Sequence, residues 1–150
     1  MYNSDGKLYQ TMKSLKVQGA SGWTIFVFGS LALFLGLLGL IRPELILSVM
    51  GFNVLERTGR MAGDYTLVFV VASSMASFNM GVYYVLAALN NLKAFYGWTV
   101  PFRVVTFSAF CLTVISGLAP KAWLGVAVWE LTGAIATGWA LYYEMRKSAA

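Results

Sequence analysis

Three charged side chains interrupt the apolar stretches of this sequence, and their types suit acid–base chemistry. Glu130 lies inside the apolar run AWLGVAVWELTGAIATGWALYY, with no lysine or arginine three or four positions away. A charge at the centre of a bilayer costs about 2.5–3.5 kcal/mol on insertion scales, so it persists where it pairs, holds a proton or does chemistry. Glu130 is therefore the leading catalytic candidate; hydrogen bonding to a neighbouring helix for assembly alone is the alternative.

Arg103 and Asp64 are the other two charged candidates. Arg103 lies about four residues into the third apolar run, where it either snorkels to the interface or points inward to pair with Glu130. Asp64 opens the second run, and Arg60 offers it a surface partner four residues earlier. If that helix begins near Gly59, Asp64 lies about 7 Å deep, approaching the level of Glu130. Two carboxyl groups in one dry pocket divide into one acid and one base.

Uncharged polar and apolar side chains on the same helices suggest where a substrate would bind. Asn79 and Tyr83 lie one helical turn apart and both offer hydrogen bonds, for which attachment to another helix is the alternative. For apolar residues at helical spacing there are two alternatives: they line a pocket, or they only pack against neighbouring helices. The predicted substrate-binding residues are Asn79, Tyr83, Met75, Phe107 and Thr137.

The residue types that are missing narrow the chemistry further. The sequence contains no histidine, which removes the commonest metal ligand and the usual general base. Cys111 is the single cysteine and sits in an apolar run, where a small buried hydrophobe is the expected role. The sequence therefore predicts no metal site.

The composition indicates that much of the surface faces lipid. Hydrophobic residues make up 59% of the 150-residue chain, and charged residues make up 11%, against roughly 25% in soluble domains. The net charge of +5 comes from lysines and arginines that lie mostly at the termini and between apolar runs. That placement is typical of membrane topology signals, and no basic stripe with exposed aromatics suggests nucleic-acid binding.

Apolar runs predict an all-α integral membrane protein: a single domain, 1–150, forming a bundle of four transmembrane helices. The predicted spans are about 23–41, 64–89, 99–119 and 122–143. A short apolar segment between the first two, LILSVMGF, is expected to lie at the interface or re-enter the membrane and cap the bundle. Because the first span carries no charge, a pocket is expected between the other three.

Small residues and terminal charges give two further expectations. Close helix packing is predicted on two faces, one formed by Gly29, Ala32, Gly36 and Gly39 and the other by Ser73, Ser77 and Gly81. Six lysines and arginines lie on the side of the termini and four on the other side, which favours cytoplasmic termini. The polar N-terminal segment does not have the form of a secretory signal, so the first span is expected to remain as an anchor.

The size, the span number and the sparse polar intrusions together resemble the very small four-helix membrane proteins of fungal natural-product clusters. The resemblance rests on Asp64, Asn79 with Tyr83, Arg103, and Trp129-Glu130 with Gly133. That group includes membrane-bound epoxide hydrolases and cyclases. It implies opening of an epoxide on a lipophilic polyketide or terpenoid, a location in the endoplasmic reticulum, and no cofactor. In that scheme one carboxyl group protonates the epoxide oxygen, a second positions the nucleophile, and an arginine holds the two in opposite protonation states.

Two other classes of function use the same residues differently. Proton-coupled transport of a small molecule would use Glu130 as an alternately protonated and loaded group, in a homo-oligomer. An accessory subunit of a membrane complex would use the polar and small residues only to choose partners. Acid-catalysed isomerisation would use the same groups as epoxide opening.

Overall fold

The computed structural model of the chain describes residues 16–149, and that part is all-helical. The polar N-terminal segment, with Lys7 and Lys13, lies outside the described residues. The helices are α1 (Gly19–Ile41), α2 (Pro43–Val49), α3 (Thr66–Leu89), α4 (Lys93–Ile115) and α5 (Leu124–Ala149), with short 3-10 turns at Arg57–Gly59 and Lys121–Trp123. Four of these helices are long and apolar enough to cross a membrane, which confirms the predicted multi-pass helical class.

The third span differs most from its predicted bounds of 99–119. α4 begins at Lys93 because the turn after α3 is tight: Asn91 adopts a φ of 52°, and the Leu92 N–H donates to the Ala87 carbonyl. It ends at Ile115, close to Gly117 with its φ of 75°. Arg103 therefore lies about 15 Å along α4 from Lys93, at 1.5 Å per residue, in the middle of the span.

Glycines allow α1 and α3 to pack backbone against backbone. A Cβ atom on Gly36 would lie 2.5 Å from the Phe78 backbone nitrogen, and one on Gly81 would lie 2.7 Å from the Leu33 Cα. The Ser77 hydroxyl donates to the Ala32 carbonyl at 3.0 Å. Small residues are expected at such close crossings because lipid provides no hydrophobic force between helices.

The serine stripe of α3 is partly corrected by this packing. Ser77 and Gly81 pack against a neighbouring helix as predicted, and that helix is α1, but Ser73 is exposed and donates within its own helix to the Val70 carbonyl. The buried serine is Ser74, which lies where a Cβ on Gly39 would collide with it. Two of the three residues of the predicted stripe, Ser77 and Gly81, therefore pack against another helix of the same chain.

The four long helices form a bundle that is open on one side. α1 packs along α3 and also against α5, and α4 packs along α5. The backbones of α3 and α4 approach each other closely at few points, although the two helices are joined by a short turn. Two contacts between them lie near that turn: the Tyr96 hydroxyl reaches the Ala87 carbonyl at 3.2 Å, and the Tyr84 and Phe95 rings meet edge to face.

Three helix ends are tied together on the side of the termini. Glu144 on α5 accepts hydrogen bonds from the Ser21 backbone N–H at 2.9 Å and from its hydroxyl at 2.8 Å. Lys93, at the start of α4, forms an ion pair with the same carboxylate. Gly19, with a φ of 69°, lies so close to this carboxylate that a Cβ would collide with it. Glu144 thus fixes the starts of α1 and α4 against α5.

The segment between α1 and α3 caps the opposite end of the bundle. Ile46 and Leu47 of α2 are buried, and a Cβ on Gly51 would lie 2.5 Å from the Ala122 side chain. The Phe52 ring meets Trp123 edge to face at 5.6 Å, just before α5 begins. These contacts agree with the expected capping role.

Replacing Gly36 with alanine tests the close approach of α1 and α3. We expect Gly36→Ala to lower the free energy of unfolding by about 1–3 kcal/mol, the usual cost of overpacking. Gly97→Ala is the matched control, because Gly97 lies inside α4 with no atom within 4 Å of the added Cβ; the gain in helix propensity should leave it equal or slightly more stable. Unfolding in detergent measures both, and equal stabilities would contradict the packing.

Candidate functional site

Arg103 lies at the centre of the bundle and not at the interface. Its side chain is 5% exposed. The guanidinium carbon lies 4.0 Å from the centroid of the Phe28 ring on α1 and 5.2 Å from that of Tyr84 on α3. Two of its nitrogens, Nε and Nη1, are buried without a hydrogen-bond acceptor. Of the two orientations left open by the sequence, the structure shows the inward one.

Glu130 faces this guanidinium from α5. Its Oε2 lies 3.9 Å from Arg103 Nη1, which is within ion-pair range but too long for a hydrogen bond. The Glu130 side chain is 25% exposed, so it is less enclosed than that of Arg103. The Glu130 side chain takes part in no hydrogen bond found among the described residues. Its pairing across helices therefore leaves hydrogen-bonding capacity free on both partners.

Gly133 makes the room that this pair requires. A Cβ there would collide with Arg103 Nη1 and would lie 2.6 Å from Phe28 Cζ. Gly133 is one helical turn after Glu130 and faces the same way, as its spacing in the sequence predicts. Any side chain at this position would push the guanidinium away from α5.

Aromatic rings form the walls around the pair. Trp129 lies next to Glu130 in sequence, and its ring centroid is 4.3 Å from that of Phe28. Phe28 therefore contacts both the guanidinium and Trp129. The expected pocket between the second, third and fourth spans did not include α1, which here supplies Phe28 to the surroundings of the pair. Because the face of the Phe28 ring is directed at the Arg103 guanidinium, the two groups also attract each other through a cation–π interaction.

Asp64 lies apart from this pair. The second transmembrane helix begins at Thr66, so Asp64 precedes it and does not lie about 7 Å deep in it. Its carboxylate accepts hydrogen bonds from the Thr66 backbone N–H at 2.9 Å and from Arg60 at 2.8 Å. Glu130 lies about 9 Å along α5 from Leu124. None of the described ion pairs or hydrogen bonds joins Asp64 to Glu130 or Arg103.

Hydrogen bonds from Thr66, together with Arg60, lower the pKa of Asp64 below its usual value. The carboxylate form therefore contributes stability above the unfolded pKa near 3.9, and that contribution is lost as pH falls through the lowered folded pKa. We expect Asp64→Asn to show a flatter fall of Tm between about pH 4 and pH 2 than wild type. Glu56→Gln, exposed in the same connection, controls for the loss of one charge. An unchanged acid limb would contradict this role.

The predicted substrate-binding residues lie in different surroundings. Thr137 is fully buried, and its hydroxyl donates to Thr24 Oγ1 at 3.1 Å, which ties α5 to α1. Asn79 lies about 160° around α3 from Gly81, and Tyr83, one turn on, is exposed. Met75 is 44% exposed. Phe107 is half-buried one turn after Arg103 and is the member closest to the pair along the chain.

Two hollows in the described surface lie elsewhere. One of about 560 Å³ lies between α1 and α5 near the termini and includes Thr24, Trp139 and Tyr143 in its lining. The other, of about 750 Å³, lies beside α2 and includes Arg42, Glu44 and Arg57. Neither contains Arg103, Glu130 or Asp64.

Phe28 and Tyr84 are the site residues that the sequence did not identify. Phe28 is one of several aromatic and aliphatic residues along α1, and its type does not distinguish it from Phe26 or Phe34. Trp129 and Gly133 were noted together with Glu130 as part of the resemblance. Comparisons with protein-family models, with curated proteins and with solved structures found no match. The resemblance to the small fungal membrane proteins therefore remains a prediction.

Proposed function

We propose that the chain is a membrane-embedded enzyme that opens an epoxide on a lipophilic polyketide or terpenoid. The observation that supports this most is the pair of Arg103 and Glu130, which face each other inside the bundle at 3.9 Å with unused hydrogen-bonding capacity. An interaction made only to assemble helices would be expected to satisfy its donors, because unpaired buried groups cost about 1–3 kcal/mol each.

The chemistry assigns one role to each partner. An N–H of Arg103 donates to the epoxide oxygen and stabilises the negative charge that develops there. The Glu130 carboxylate takes a proton from a water molecule or from a hydroxyl group of the same substrate, and that oxygen attacks an epoxide carbon. The carbon–oxygen bond breaks, and Glu130 returns the proton to the new alkoxide. The product is a diol or a cyclic ether with one hydroxyl.

One carboxylate is sufficient for this cycle, because it gives back the proton that it takes. Asp64, placed with Glu130 and Arg103 in the predicted catalytic set, makes its polar contacts with Arg60 and Thr66. A second carboxylate is therefore not required for the proposed reaction. The polar residues at the interface then stabilise the fold. The proposed orientation places the termini in the cytoplasm, and the proposed location is the endoplasmic reticulum.

The test is conversion of terpenoid and polyketide epoxides by the purified protein in nanodiscs, without any added cofactor, in water enriched in oxygen-18. Hydrolysis places one oxygen-18 atom in the diol, whereas cyclisation places none in the ring product. Absence of turnover across both classes of epoxide contradicts the proposal. Proton movement that accompanies small-molecule uptake in proteoliposomes, and that stops in Glu130→Gln, would favour transport; the partial exposure of Glu130 is the observation that supports that second candidate.

A further inference from the structure

One face of α3, which meets α4 at Ala87 beside the connecting turn, becomes more exposed with distance from that turn. Positions seven residues apart lie on the same face of a helix, two turns from one another. Ala87, beside the turn, is 2% exposed, whereas Met80 is 43% exposed and Ser73 is exposed as well. α4 therefore shields α3 from the surroundings only near the connecting loop, and this shielding is lost about two helical turns away from it.

The facing side of α4 behaves in the same way. Phe95 is half-buried and contacts Tyr84 of α3. Phe102, seven residues later on the same face, is 71% exposed, and Ala109 is exposed too. The two helices thus separate along their length. We call the space between Met80 and Ser73 on one side and Phe102 and Ala109 on the other the α3–α4 opening.

Arg103 follows Phe102 directly and turns into the bundle behind this opening. Its Nε and Nη1 donors have no acceptor although the side chain is 5% exposed. Tyr84 contacts both Arg103 and Phe95, and so it closes the end of the opening nearest the turn. The opening faces the bilayer, and Arg103 is the charged residue that adjoins it in α4, with hydrogen-bond donors that no acceptor among the described residues uses.

We propose that a lipophilic molecule with a neutral oxygen acceptor, such as an epoxide or a ketone, enters from the bilayer through the α3–α4 opening and binds Arg103 through that oxygen. The identity of the ligand rests on the proposed function. A neutral acceptor suits the site because Arg103 and Glu130 already balance each other's charge. An anionic ligand would place a second negative charge beside Glu130, and like charges at this range repel strongly in an apolar environment.

A terpenoid ketone that carries a diazirine in its chain tests this route, because it offers the oxygen but cannot undergo ring opening. After irradiation in nanodiscs, we expect labelled peptides to carry the probe at Ser73, Met80, Phe102 or Ala109. Ala109→Trp should reduce labelling at least about tenfold by filling the opening. Ser108→Trp is the matched control, since Ser108 is also exposed but points about 100° away around α4. It should label as wild type does.

Ser73→Trp repeats the test from the α3 side in case Ala109→Trp does not fold. Labelling spread over the outward faces, or unchanged in both tryptophan variants, overturns the route. A disulfide-linked dimer formed by Ala109→Cys in a Cys111→Ser background would show a second copy over the opening and overturn it too. Failure of the enzyme is distinguishable: ketone labelling at the opening without epoxide turnover leaves the route intact. Epoxide turnover that is unaffected by Ala109→Trp leaves the enzyme intact and removes the route.

Discussion

Glu130→Gln should open epoxides at least about 100-fold more slowly than wild type, the usual contribution of a positioned acid–base group. Glutamine is close to glutamate in size and keeps an oxygen that accepts hydrogen bonds, but it cannot take a proton from the attacking oxygen. The measurement is kcat and KM for a terpenoid epoxide in nanodiscs. We expect kcat to fall and KM to change little, because the ligand oxygen binds Arg103 and not Glu130.

Two further variants make this result specific to the carboxylate at position 130. Glu56→Gln removes an exposed carboxylate from the connection before α3 and should retain full turnover. Glu130→Asp keeps a carboxylate but withdraws it by about one bond length, and should recover part of the rate. Full activity in Glu130→Gln would show that this carboxylate is not the acid–base group. Equal losses of turnover in the Gln and Asp variants would indicate that the exact placement of the side-chain group, and not its ability to accept a proton, determines the rate.

The helical class could be predicted from the sequence because lipid imposes a simple rule: a span needs about 20 apolar residues. The runs that end at Ile41 and Leu89 obey that rule and have matching ends in the structure. The ends of α4 were predicted several residues away from their positions in the structure, because its first six residues, KAFYGW, combine a lysine with aromatic residues that are typical of the membrane interface. In the structure a tight turn at Asn91 places the start of the helix earlier than predicted, and a count of apolar residues does not reveal such a turn.

The candidate site was predictable in part for a related reason. Charges inside apolar runs stand out because their cost must be compensated, so Glu130 and Arg103 were both evident. Their meeting depends on helix rotation and on the start of α4, which the sequence leaves open. Phe28 illustrates the remaining gap: its role comes from facing the guanidinium, and nothing in its type or spacing signals that. Asp64 was misjudged in depth because the helix after it begins at Thr66.

Arg103→Gln should lower the free energy of unfolding by about 3–5 kcal/mol, the range for removing one partner of a buried ion pair. The variant loses the attraction of the guanidinium to the Phe28 ring and leaves Glu130 without its cation. Unfolding in mixed detergent measures the loss. Arg42→Gln, at the exposed end of α1, should stay within about 0.5 kcal/mol of wild type and serves as the control.

The double variant Arg103→Gln/Glu130→Gln separates stability from function. With both charges removed, no uncompensated carboxylate remains, so its loss of stability should be smaller than the sum of the two single losses by about 0.5–3 kcal/mol. Its turnover should nevertheless stay as low as that of the less active single variant, because neither the oxygen-binding cation nor the proton acceptor is present. Additive losses of stability would mean that the two groups do not interact at 3.9 Å. Recovery of turnover together with stability would mean that the pair holds the bundle together and performs no chemistry.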